Sequence, residues 1–178
     1  MSERQRDLVF VTVGTDHHPF DRLCGWADAW VAEGRHLEVP WFVQSGTSKA
    51  PAVAPWRDYV GYDEMCDFMA RAVAVVCHGG PATIMDARRL GRVPIVVPRN
   101  ADLGEHVDNH QQRFARRMAE LGEIHLAQSQ DEMFELVEKA IADPSAFAVS
   151  QDGAEIAAAV AKFKELVDGL FDKKKARR

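Results

Sequence analysis

Short apolar runs alternate along this chain with stretches in which apolar positions recur every three or four residues. That alternation predicts an α/β fold built on a mainly parallel sheet. Leu8–Val13 is the first strand-like run, closed by Gly14-Thr15, and Phe20, Leu23, Ala27, Trp30 and Val31 then follow at helical spacing until Gly34. Trp41–Gln44 predicts a second strand before a Gly/Ser/Pro-rich loop, Tyr59–Gly61 a short strand, Asp63–Arg71 a short helix and Val73–Cys77 a further strand. Pro81–Leu90 reads as a helix closed by Gly91, and Val93–Val97 as a strand. A helix is expected from about Glu105 to Leu121, with Gly122 as its cap. Ile124–Leu126 gives a last short strand, and Asp131–Ala142 a helix ended by Asp143-Pro144. Ile156, Val160, Phe163, Val167 and Leu170 form a stripe on a terminal amphipathic helix, residues 151–171, before a basic tail, residues 172–178. The expectation is one domain over 1–178, with its core in 8–142.

Composition narrows the class. At 178 residues, 47% hydrophobic and 28% charged, the chain has ordinary globular usage and length for one well-cored domain. No apolar run approaches the ~20 residues that span a bilayer, and the first residues lack a signal-peptide core, so a cytosolic protein is expected. Cys24, Cys66 and Cys77 show no C-x-x-C spacing and read as buried thiols. A formal net charge of −5 argues against nucleic acid as the main partner. The cations crowded at the end read either as a solvated, frayed tail or as an attraction to anionic membrane.

The stretch Val73–Asp86, V-A-V-V-C-H-G-G-P-A-T-I-M-D, carries the strongest chemical signal. A buried strand stops at Gly79-Gly80 and restarts as a helix with Pro81 at its first position. The free amides of such a first turn, at the positive end of the helix dipole, favour a phosphate. Thr83 adds a hydroxyl, and Asp86 a carboxylate suited to a sugar diol. The same letters also describe an ordinary strand-to-helix turn whose Asp86 complements the dipole. Gly14–Pro19, Gly61–Glu64, His78–Thr83 and Arg99–Asn109 are the loops that a parallel sheet would gather at its carboxyl edge. The G-x-G-x-x-G spacing of dinucleotide sites and the G-K-[ST] of a P-loop are both missing, so NAD and ATP are not expected.

Seven histidines raise the question of a metal. His106 and His110 stand four apart on the expected helix without the Glu of a zincin motif, and no metal site is assigned. His17 and His18 lie after the first strand, where an imidazole suits a general base or simply faces water. Asp108, Asn109, His110 and Gln111 place hydrogen-bonding groups in the first turns of the same expected helix, as either a polar face or a sugar-reading surface.

V-F-V-T-V-G-T (9–15), H-G-G-P-A-T-I-M-D-A (78–87), G-R-V-P-I-V-V-P (91–98) and D-N-H-Q (108–111) together resemble the C-terminal, donor-binding domain of glycosyltransferase family 28. The resemblance runs in order over most of 8–142. It is similar to MurG-type lobes and closer to the small catalytic subunit of two-subunit enzymes that act on dolichol-linked sugars, or their exopolysaccharide counterparts. It implies a Rossmann-like α/β domain equivalent to the C-terminal lobe of a GT-B enzyme, a UDP-sugar donor, and neither cofactor nor metal. It places His78, Gly79, Gly80 and Thr83 at the diphosphate, Asp86 at the ribose, and Gly14-Thr15 on the loop closing over the diphosphate. Gly61, Tyr62 and Met65 fall where the uracil is held, and Asn109, His110 and Gln111 where the sugar is read. Pro81 and Asp86 depart from the residues frequent in the family, a small residue and Glu. The acceptor lobe is missing from the chain.

The function the resemblance implies is inverting transfer of a hexose-type sugar from UDP to a lipid-linked acceptor in polysaccharide or glycan biosynthesis. A membrane-anchored partner would hold the acceptor and bring this chain to the inner face of the cytoplasmic membrane. His17 is the local candidate for the catalytic base. A non-catalytic nucleotide-sugar-binding or regulatory module is the competing reading, and a UDP-sugar 2-epimerase, which needs both lobes, a third.

Overall fold

The computed structural model describes residues 7–35 and 39–149, together with Ala161 and Lys164. Six parallel strands make one sheet in the order β3-β2-β1-β4-β5-β6. They are β1 (Leu8–Thr12), β2 (Trp41–Gln44), β3 (Trp56–Arg57), β4 (Ala72–Cys77), β5 (Ile95–Val96) and β6 (His125–Leu126). The connecting helices are α1 (Asp21–Ala32), α2 (Tyr62–Arg71), α3 (Pro81–Arg89), α4 (His110–Glu120) and α5 (Gln130–Ala142). The chain forms two units, Met1–Ala148 and Val149–Arg178, and the sheet and these helices belong to the first. The expected amphipathic helix 151–171 lies outside the described residues except for Ala161 and Lys164, both helical, and the tail 172–178 lies wholly outside them.

Strands β1 and β4 are buried along their whole length, as expected of central strands covered on both faces. Alternation along β1 splits the core. Val9 and Val11 join Leu23, Ala27, Trp30, Met133 and Val137 of α1 and α5. Leu8 and Phe10 join Met69 and Ala87 of α2 and α3 on the other face. Trp30 fixes the first layer, tilted by 32° against Trp41 at 5.1 Å and edge-on at 4.9 Å to Phe134. No described helix is long and apolar enough to cross a membrane.

Several elements differ from the sequence expectation. The third strand is Trp56–Arg57, next to Val43–Gln44, rather than Tyr59–Gly61. The carbonyls of Arg57 and Asp58 accept from the Ser45 and Gly46 N–H groups, which uses up the pairing edge before Tyr59, and Gly61 becomes the N-cap of α2. The run Val93–Val97 pairs only over Ile95–Val96. α4 starts at His110 rather than near Glu105; in the segment before it, Glu105 and Asn109 accept from the Asn100 and Ala101 N–H groups, and Asp108 accepts from the His110 N–H. Cys24 and Cys77 are buried, and burial lifts their thiols to about 11 and about 12, but Cys66 is only half-buried.

Candidate functional site

The turns after β1 and β4 meet because Thr12 lies beside Cys77 in the central ladder. Gly14 adopts φ +77°, a left-handed conformation that an L side chain rarely takes. Two buried side chains hold that turn: Thr12 Oγ1 accepts from the Gly14 N–H at 3.1 Å, and Gln44 Nε2 donates to the Gly14 carbonyl at 3.1 Å. The imidazole of His78 lies between Gly14 and Gly80, and a Cβ on either glycine would run into the ring. On Gly79 a Cβ would stand 3.0 Å from Gln111 Cβ. His78 is 7% exposed and its Nδ1 is buried without a hydrogen-bond partner. Burial, assisted by the Arg99 charge, lowers it to about 4, so the ring is neutral at pH 7.

From this packed turn α3 departs, with Gly80 as N-cap and Pro81 in the first turn. No side chain caps the helix, which leaves its first-turn amides and the positive end of its dipole directed at whatever occupies the edge. Hydrogen-bonding to a phosphate is the chemistry such a terminus offers.

A second segment, Arg99–Asn109, closes the same edge. Arg99 is fully buried, and its guanidinium donates to the carbonyls of Val13, His18, Pro19 and Glu105. It thereby ties the β1–α1 loop to the loop after β5. Glu105 forms a two-pronged pair with Arg22 at 2.8 Å for each contact and accepts from the Asn100 N–H. Gln111 Oε1 accepts from the Arg99 N–H, and Asn109 Oδ1 from the Ala101 N–H. Asp108 accepts from the His110 N–H and stands 2.6 Å from His110 Nδ1. His106 precedes α4, so it and His110 do not share a helix face; both instead approach Asp108.

Away from the glycine turn, Asp86 of α3 accepts from the Tyr62 hydroxyl at 3.2 Å and pairs with Arg89 at 3.2 Å, and Arg89 also donates to that hydroxyl. Gly61 starts α2, while Met65 packs against the core layer of Leu8 and Phe10. On the β1–α1 loop His17 is 83% exposed. His18 is 21% exposed, its Nδ1 2.5 Å from Asp16 Oδ1. Although burial alone would raise Asp16, its hydrogen bonds from the His18 backbone and ring hold it at about 2.

The structure thus brings Gly14, His78, Gly79, Gly80 and Gln111 into one packed group, and joins Tyr62 to Asp86 in another. Thr15 is exposed, and Thr83 lies half-buried in the first turn of α3. Asn109 and His110 serve the start of α4. A 280 Å³ cavity beside Pro98 and Leu103 is lined by no member of either group. Sequence reasoning passed over Arg99 and Glu105. Their signal was faint, a lone cation after the apolar run ending at Pro98 and an acid six residues later.

A family model described as the glycosyltransferase family 28 C-terminal domain matches residues 8–168. Among solved structures, the Acinetobacter baumannii MurG is similar with a TM-score of 0.54 and 18% identity, covering 82% of this chain and 47% of that one. A glycotransferase of kitacinnamycin is similar with a TM-score of 0.59 and 16% identity, covering 80% of this chain and 37% of that one. The chain therefore spans less than half the length of these two structures, and shares with them the α/β fold of a GT-B lobe. No curated protein matches it in sequence.

Proposed function

The chain belongs to the glycosyltransferase family 28 C-terminal domain family, and from that premise we propose that it is the donor-binding lobe of an inverting, UDP-sugar-dependent glycosyltransferase. The observation that carries this reading is the glycine turn itself, with His78 between Gly14 and Gly80 and the uncapped terminus of α3 beside it. Amides and dipole there stabilise charge that develops on UDP as the glycosidic bond breaks, the service a metal ion gives elsewhere, so the donor step needs no ion. Thr83 adds a hydroxyl donor in the first turn.

Asp86, already oriented by Tyr62 and Arg89, is assigned to the ribose hydroxyls, with Gly61, Tyr62 and Met65 beside the base. Asn109, His110 and Gln111 are assigned to the sugar. The side-chain oxygens of Asn109 and Gln111 serve backbone N–H groups, so a hexose hydroxyl would meet their amide nitrogens.

A second polypeptide, anchored in the membrane, is proposed to complete the cleft and to hold a lipid-linked acceptor. The base that deprotonates the acceptor hydroxyl then comes either from that partner or from the His17–His18 loop. Within the loop, Asp16 Oδ1 stands 2.5 Å from His18 Nδ1 and 3.7 Å from that of His17, which is 83% exposed, so the carboxylate orients His18 the more closely.

Calorimetry with UDP, UMP and ADP in the presence of a chelator tests the donor assignment. The expected outcome is UDP binding without divalent metal, weakened by about 1–3 kcal/mol in Asp86→Ala with the fold intact. Absence of UDP binding, or binding that requires metal, would overturn it. Sugar transfer to lipid that begins only on co-expression with a membrane-anchored partner supports the split enzyme, and transfer by the purified chain alone refutes it.

A further inference from the structure

The loop between β1 and α1 holds chemistry that donor binding does not use. Asp16, His17 and His18 follow one another there, and one ligand-capable atom from each lies within 4.8 Å of the other two. The two imidazole rings stand 4.0 Å apart, and His17 Nδ1 is 3.7 Å from Asp16 Oδ1. Asp16 Oδ1 accepts both from the His18 backbone N–H at 2.7 Å and from its Nδ1 at 2.5 Å. Asp16 is thus in contact with His18 and near His17, so the three side chains are already gathered at one point of the loop. Across the loop, the ring of His106 lies 5.4 Å from that of His18, and its Nδ1 is buried without a hydrogen-bond partner.

We propose that Asp16, His17 and His18 form a binding site for one divalent cation of the zinc class, with His106 within reach as a fourth ligand. Two or three imidazoles and one carboxylate suit zinc, nickel or copper, whereas magnesium and calcium prefer shells of oxygen. A tetrahedral zinc ion with bonds of about 2.0–2.1 Å sets its ligand atoms about 3.4 Å apart, so the Asp16–His18 contact at 2.5 Å has to open and the wider pairs, up to 4.8 Å apart, have to close, each by about 1 Å. Such rotations are open to them, since His17 is largely exposed and the backbone beneath is tied by Arg99 at the carbonyls of His18 and Pro19. An ion held here occupies the imidazoles that the loop would otherwise offer to a proton. The site is independent of the donor assignment, which rests on α3 and calls for no ion.

The test is a titration of the untagged chain with Zn²⁺ and with Co²⁺ in the absence of nucleotide. One equivalent is expected to bind, with Co²⁺ giving the visible bands of a tetrahedral site and Mg²⁺ giving no binding. His17→Ala and His18→Ala should each weaken Zn²⁺ at least about tenfold, and His106→Ala by less. Thermal unfolding without metal, unchanged in His17→Ala, shows that the loss is of ligands and not of fold. Absence of saturable binding overturns the proposal. So does binding that survives in the His17→Ala/His18→Ala variant, which would place the ion elsewhere on the chain. UDP calorimetry in chelator reports on the glycine turn alone, so the failure of one assignment is visible apart from the failure of the other.

Discussion

The turns after β1 and β4 are shaped by glycines packed around a buried ring, whereas the segment Arg99–Asn109 is shaped by side chains that bond backbone groups. In the first region Gly14, Gly79 and Gly80 leave no space for a Cβ against His78 or Gln111, so the geometry is set by close packing. In the second, the side chains of Asn100, Glu105, Asp108 and Asn109 each accept from a backbone N–H, those of Asp102, Asn100, His110 and Ala101. The first is rigid by steric exclusion and fails all at once; the second is a set of separable bonds. Arg99 joins them, with its guanidinium on the carbonyls of both.

Breaking that joint should have the largest effect. Arg99→Met leaves four carbonyls without their donor, those of Val13 and Glu105 in buried residues, and a loss of about 3–5 kcal/mol is expected in denaturant unfolding. A loss below about 1 kcal/mol would mean that the two regions hold their shapes independently.

Acid tests the packed turn by itself. His78 sits at about 4 in the fold against 6.5 for the free group, so the unfolded chain binds the extra proton between those values. The contribution of a neutral, buried His78 is therefore complete above pH 6.5 and is lost as pH falls from 6.5 toward 4. It amounts to something on the order of 3 kcal/mol. Urea unfolding at pH 7 and pH 4.5 should show this decline in the wild type and a flatter profile in His78→Ala.

Overpacking the turn comes next. Gly80 has an ordinary φ of −77°, so Gly80→Ala introduces collision with His78 and no backbone strain, and about 1–3 kcal/mol of destabilisation is expected. Combining it with His78→Ala should recover part of that loss in a double-mutant cycle; strict additivity would show that the ring is not what Gly80 accommodates. The smallest effect belongs to the second region. Asp108→Ala should cost about 1 kcal/mol, the scale of a lost helix cap, and fray α4 at His110 in amide exchange without touching the glycine turn.

The same contrast explains what was legible in the sequence. Gly79-Gly80-Pro81 after an unbroken apolar run names a strand, a sharp turn and a helix start from local letters alone, and the structure has all three. The mainly parallel sheet was also legible, from apolar runs alternating with helical spacing, though not which strands pair. Glu105–Asn109, by contrast, carries a helix-compatible pattern, and only the distant Arg22 and the N–H groups of Asn100 and Ala101 reveal why no helix forms there. Tyr59–Gly61 misled for a similar reason, because β2 pairs with Trp56–Arg57 and leaves no partner for it. Arg99 was legible as a charge but not as a tie, since its four acceptors lie on segments far apart in the chain.

The strand order has a consequence for how the chain acquires its shape. At the middle of the sheet, β1 pairs with a strand that begins only at Ala72, so β1, α1 and β2 are all made before the central partner exists. Closing so long a loop is entropically slow, and parallel pairing of this kind is characteristic of folds that assemble late in a reaction rather than from local nuclei. Gly14 is carried to His78 by that same closure. A refolding experiment that follows the environment of the His78 ring would therefore report the joining of the two halves of the sheet, and not the formation of any hairpin or helix along the way.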